Sequence, residues 1–91
     1  MNAEGVRKAV EIYRRKFAEL KIEPVHFPGN HFSCTSEERL AHCSEVLDEI
    51  KRSLNGNGVE NAIRWLGFVQ GCLWSAGIYT VDDLQSHGRD E

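Results

Sequence analysis

The sequence predicts an all-α protein, a small helical bundle of three main helices plus a short C-terminal helix, with one long packed loop between helices 1 and 2. Three observations carry that reading. Apolar residues recur at steps of three and four in three separate segments, which is the spacing of one helix face. Two Thr-x-x-acid sequences, Thr35 to Glu38 and Thr80 to Asp83, have the form of capping boxes at helix starts. Asn55-Gly56-Asn57-Gly58 and Gly77 supply the left-handed residues that stop helices. Ninety-one residues leave room for one core and a single helical domain, residues 1–91.

Residues 1–22 hold helix 1, with Val6, Val10, Tyr13, Phe17 and Leu20 along its apolar seam. Its solvated face pairs Glu4 with Lys8 and Glu11 with Arg15, each worth only about 0.2–0.5 kcal/mol. Arg7, Arg14 and Lys21 fall seven apart on that face, and Pro24 is predicted to end the helix. Residues 23–35 form the long loop, whose Val25, Phe27 and Phe32 are predicted to pack down on the helices. Helix 2, residues 36–55, presents Leu40, Cys43, Leu47, Ile50 and Leu54 on one face.

Helix 3, residues 59–77, is apolar on most sides. Ala62, Leu66, Val69, Leu73 and Ala76 make its seam, and Ile63, Trp65, Phe68 and Cys72 widen it. Such a helix is central to a core or buried against another chain. Gly67, Gly71 and Ser75 also align at steps of four. Each interior glycine costs about 1 kcal/mol relative to alanine, so the stripe predicts close approach of another helix backbone. These three residues are the candidate oligomer interface of a homo-oligomer, a dimer being favoured because two-fold assemblies are commonest. A short helix follows at 80–87, Gly88 stops it, and 88–91 is a tail.

Eleven Lys and Arg against fourteen Asp and Glu give a formal charge of −3. That balance makes direct nucleic-acid binding through phosphates an unlikely basis for function, and it is too mild for a DNA mimic. The longest apolar run, Trp65 to Tyr79, falls short of the about 20 residues a bilayer span needs, so no membrane partner is expected. No secretory signal is visible, and three cysteines then imply reduced thiols in a cytoplasm.

The densest chemical constellation is His26, His31, Cys34, His42 and Cys43. His31-x-x-Cys34 has the spacing of a structural zinc pair, but the adjacent His42-Cys43 points its side chains about 100° apart on a helix. The expected complement is therefore no cofactor and no metal, with His31, Cys34 and His42 the ligands if zinc is held. A Cys34–Cys43 disulfide is disfavoured in a reducing compartment. No nucleophile–base motif, phosphate loop or carboxylate pair appears, so no catalytic residue is assigned and no enzyme activity is expected. Binding residues are a better match to the composition. Arg64, Asn61, Trp65, Gln70 and Trp74 set polar and aromatic groups on helix 3, and Tyr79, His87 and Arg89 follow where the Gly77 turn would fold them back. The competing expectation is that Arg64 pairs with a buried carboxylate while the indoles fill the core.

The block Arg64-Trp-Leu-Gly-Phe-Val-Gln-Gly-Cys-Leu-Trp74, then Gly77-Ile-Tyr-Thr-Val-Asp-Asp-Leu84 and His87, resembles small uncharacterised proteins encoded by tailed phages and prophages. Those proteins carry a similar Arg-Trp-Leu-Gly-Phe-x-Gln-Gly block, and upstream a Pro-containing loop leading to an Ala-His-Cys helix, as in Ala41-His42-Cys43. The resemblance spans about Glu23 to His87 and transfers no catalytic residue. It implies a phage accessory protein in a bacterial host cytoplasm, acting by binding a host protein as an inhibitor of a defence system. Two alternatives stay open: an oligomeric binder that sequesters a small nucleotide signal, and a zinc-stabilised regulatory or enzymatic module.

Overall fold

Asn2 opens the first helix by accepting a hydrogen bond from the Gly5 backbone N–H at 2.9 Å. The computed structural model describes residues 1–26, 28–30, 32, 35–56 and 58–88. Four helices follow in order, α1 (Ala3–Glu19), α2 (Ser36–Asn55), α3 (Val59–Ser75) and α4 (Val81–Ser86). The described residues contain no strand, so the chain is all-α, three main helices and a short fourth.

The ends of the helices show how local chemistry fixes the path. Helix α1 stops at Glu19, earlier than Pro24 would require. Its terminator is Lys21, held at φ 57° in the left-handed region. Ile22 donates its N–H to the Phe17 carbonyl and Lys21 to that of Ala18, the paired bonds of a Schellman cap. Because the seam ends there, Leu20 falls in the cap and stays exposed instead of joining the core. Thr35 caps α2 through the Glu38 N–H at 3.1 Å. In the turn to α3, Gly58 N–H reaches back to the Ser53 carbonyl at 2.7 Å. Gly77, at φ 75°, closes α3 with the same Schellman pair, Ile78 to Leu73 and Gly77 to Trp74. Thr80 and Asp83 complete a reciprocal capping box on α4.

Helices α2 and α3 pack most extensively, as a hairpin, and α1 lies across both. Val6, Val10, Tyr13 and Phe17 of α1 meet Cys43, Leu47 and Ile50 of α2 and Leu66, Val69 and Leu73 of α3 in one core. Burying each such aliphatic or aromatic side chain contributes about 1.5–3 kcal/mol. No polar or charged residue is fully buried among those described. Outside the core, Arg14 of α1 pairs with Asp48 of α2 at 2.5 Å, half-exposed and worth at most about 1 kcal/mol.

Two packing expectations are corrected. Gly67 and Gly71 approach no other helix within the chain; a Cβ at either would have nothing within 4 Å. Close approach falls on other glycines: a Cβ on Gly5 would stand 2.7 Å from the Gly88 carbonyl oxygen, one on Gly88 2.7 Å from the Met1 side chain, and one on Gly58 3.0 Å from the Ser53 carbonyl oxygen. The loop after α1 is tied to α2 by the Val25 N–H to Ala41 carbonyl bond, yet Val25 and Phe32 remain exposed, Phe32 by 90%. Phe27 lies outside the described residues.

A left-handed conformation costs an L-residue roughly 1–2 kcal/mol, partly offset in glycine by its more flexible unfolded chain. Lys21→Gly is therefore expected to stabilise the protein by about 0.5–1 kcal/mol, read as a higher urea midpoint at constant slope. Lys21→Val should lower that midpoint.

Candidate functional site

A cleft of ≈ 530 Å³ opens between the loop before α2 and the α2–α3 hairpin. That volume lies within the range of small-molecule sites. Its floor and walls come from α2 through Arg39, His42, Glu45, Val46, Glu49 and Arg52, and from α3 through Trp65, Phe68 and Cys72. The loop closes one side with His26, Pro28, Gly29 and Phe32. A chain of edge-to-face rings runs across it: His26 to His42 at 6.3 Å, His42 to Phe68 at 6.1 Å, Phe68 to Trp65 at 5.7 Å. Aromatic rings favour such offset arrangements because their edges are positive and their faces negative.

Charge in the cleft is largely matched internally. Arg52 pairs with Glu49 at 2.5 Å and stands 3.9 Å from Glu45, which also lies 3.6 Å from His26. Arg39 donates one guanidinium N–H to Ser36 Oγ at 2.8 Å, while its Nε is buried without a hydrogen-bond partner. Behind the rings, Cys43 of α2 lies in the core and Cys72 of α3 packs against that core. Cys43 is fully buried, whereas Cys72 reaches the cleft. Hydrogen bonding with Cys43 lowers the Cys72 thiol to about 7 against the opposing effect of burial, with help from the Arg39 charge. The same bond, and then burial, pushes the Cys43 thiol well above its ordinary range.

The residues expected to bind fall into separate places. Gln70, Tyr79 and His87 gather around Tyr13, whose ring is fully buried. Gln70 Nε2 donates to the Tyr13 hydroxyl at 3.0 Å, and that hydroxyl lies 2.8 Å from His87 Nδ1. Gln70 also reaches the Leu84 carbonyl at 3.5 Å, and the Tyr79 and His87 rings meet edge to face at 4.6 Å. Burial raises the Tyr13 hydroxyl to about 12, and burial lowers His87. Both shifts favour a protonated Tyr13 hydroxyl beside a neutral imidazole. This cluster fastens α4 to α1 and α3.

Asn61 donates to Ser53 Oγ at 3.0 Å and braces the α2–α3 turn. Arg64, one turn on, is exposed with no ion pair among the described residues, so the expected buried carboxylate partner is not there. Trp65 lines the cleft; Trp74, nine residues later, stands on the opposite side of α3 and is 58% exposed, outside the core expected for it. Arg89 lies outside the described residues. Compared with protein-family models, with curated proteins and with solved structures, the chain matches none.

Of the zinc candidates, His31 and Cys34 lie outside the described residues, and His42 stacks in the cleft. Among the described residues, no group of three or more His, Cys, Asp or Glu is arranged to hold a metal ion. None of the described helices is long and apolar enough to cross a membrane. Sequence reasoning named His26, His42 and Trp65 but did not assemble the cleft. A usable signal was present: Arg39, His42, Glu45, Glu49 and Arg52 recur at steps of three and four, a titratable stripe on α2 beside a long loop.

The His87 shift has a defined sign. Its folded-state proton affinity lies below the ordinary pKa near 6.5, so protonation favours the unfolded chain. Its contribution to stability is whole above about pH 7 and is lost as pH falls from 6.5 through the lower folded-state value. Urea melts between about pH 7.5 and about pH 5 should show a decline that flattens in His87→Asn.

Proposed function

We propose that the protein is a non-enzymatic phage accessory protein that inhibits a bacterial host defence system by binding a host protein in the host cytoplasm. The observation that carries this reading is the outer face of α3. Arg64, Gly67, Phe68, Gly71, Trp74 and Ser75 all stand exposed, within about 120° of one another around the helix. Phe68 is 45% and Trp74 58% exposed, although both are large apolar side chains. A fixed cation beside a tryptophan is the composition of a binding hot spot, and exposed apolar surface of this kind marks interaction sites. The residues that make the Arg64–Gly71 block distinctive are divided accordingly: Leu66 and Val69 fill the core, and Arg64, Gly67, Phe68 and Gly71 face outward.

The same face supports a homodimer. Gly67 and Gly71 leave open space where a second α3 backbone can approach, and Trp74 and Phe68 would flank it. A second reading, capture of a small nucleotide, is favoured by the aromatic cleft instead. Trp65, Phe68 and Arg39 there offer stacking surface and a cation, whereas Trp65 and Trp74 are too far apart around α3 to share one ligand. Nucleotides that raise the melting temperature of the wild type but not of Trp65→Ala would favour that reading.

Trp74→Ala should weaken binding to the host protein by about 2 kcal/mol or more, roughly thirtyfold. The test is phage plating on cells that carry intact defence genes and express the protein. Wild type is expected to restore plating, Trp74→Ala and Arg64→Ala to fail, with each variant's stability within about 1 kcal/mol of wild type. A large stability loss in Arg64→Ala would mean that this residue supports the fold, and light scattering at a monomer mass would dismiss the dimer.

A further inference from the structure

Arg39 stands in the cleft with an uncompensated charge. Of the other charged groups that line it, Glu45, Glu49 and Arg52 are ion-paired with one another, and His26 lies against Glu45. Arg39 has no ion pair among the described residues. Its guanidinium donates to the neutral Ser36 hydroxyl, and its buried Nε has no acceptor. A half-buried guanidinium without a carboxylate attracts an oxyanion, because partial removal from water strengthens the interaction and the planar fork matches two oxygens. Beside that cation the wall turns aromatic. His42 lies one helical turn from Arg39 on the same face of α2. Its ring meets Phe68 of α3 at 6.1 Å and His26 of the loop at 6.3 Å. Phe68 is 45% exposed, so its ring is open to a flat molecule. Glu45 and Glu49 come next along α2, beyond the rings from Arg39.

We propose that the cleft binds a small planar aromatic ring carrying one negative charge, with its anionic group on Arg39 and its ring against His42 and Phe68. Each part of that description answers one feature of the wall. The unpaired guanidinium selects an anion over a cation, and a buried donor left unmet gains an acceptor when the anion arrives. The rings select a flat aromatic over an aliphatic acid, since aromatic edges and faces attract one another beyond simple contact. The two carboxylates select against a polyanion: a triphosphate would set its further charges toward Glu45 and Glu49. The volume of ≈ 530 Å³ suits a molecule of one or two rings. An aromatic carboxylate and a cyclic mononucleotide share this chemistry. The assignment therefore narrows the nucleotide reading of the cleft without resting on it, and it requires no partner on the outer face of α3.

The full chain, isotope-labelled for amide spectra, is titrated with sodium naphthoate and separately with naphthylmethylamine, which keeps the ring and reverses the charge. Naphthoate should saturate with a Kd of ~0.1–1 mM. The amides of Arg39, His42 and Phe68 should move while those of α1 stay in place. The amine should bind at least about tenfold more weakly. Arg39→Met should weaken naphthoate by about tenfold, and Arg39→Lys, which restores the charge without the fork, should recover part of that loss. The two probes on the unmutated chain decide the matter whether or not either variant folds. Cyclic AMP separates the two sources: tighter binding than naphthoate marks the nucleotide class, weaker binding marks the aromatic acids, and each supports the assignment. Adenosine triphosphate binding more tightly than both monoanions would keep the nucleotide reading and overturn this one. The absence of saturation by about 5 mM naphthoate, equal binding of the amine, or a folded Arg39→Met chain that binds naphthoate unchanged would also overturn it.

Discussion

Tyr13 must be buried without stranding its hydroxyl, and the way α4 joins the fold follows from that. The ring fills the centre of α1's apolar seam and admits no solvent. An unpaired hydroxyl there would cost about 1–3 kcal/mol. The chain answers with Gln70 from α3, which donates to the oxygen, and His87 from just beyond α4, whose Nδ1 is hydrogen-bonded to it. Each partner is satisfied in turn, and the amide of Gln70 also reaches the Leu84 carbonyl. α4 contributes no fully buried residue, so this polar triad, with the Tyr79 ring against it, orients a helix that hydrophobic burial alone would leave free to slide.

The same triad marks the boundary of what a sequence discloses. Helix α2 was legible from Thr35 to Asn55 because its cap, seam and stop are all local. The capping box on α4 and the glycine ending α3 were legible for the same reason. Gln70 and His87 looked like binding groups because their partner lies 57 and 74 residues away, and no periodicity reports such a distance. Lys21 escaped notice since a lysine in the left-handed region carries no compositional sign. In the candidate site, single members were visible and their assembly was not. Cys72 read as part of an apolar helix face, and only the packing of α2 on α3 forms the cleft that it lines.

Helix α3 does three jobs on three sides, and this explains its unusual sequence. One side, with Ala62, Leu66, Val69 and Leu73, is core. A second, with Trp65, Phe68 and Cys72, walls the cleft. The third is the outer face with Gly67, Gly71 and Trp74. A helix apolar nearly all round would ordinarily sit at the centre of a bundle; in a chain with only three main helices, there are too few neighbours to cover it. The leftover surface is the outer face, where Phe68 and Trp74 stay exposed.

The close approach of Gly5 to Gly88 has a kinetic side. Helices α2 and α3 are joined by three residues and can zip together early, because closing so short a loop costs little entropy. Contacts from α1 to α4 enclose nearly the entire chain, with the Tyr13–His87 bond spanning 74 positions. Closing that ring costs the most loop entropy, so it is expected to form last and to reopen first. Amide exchange in α4 should thus outpace that of the hairpin core, and the protein would spend part of its time as a three-helix body with a loosened end.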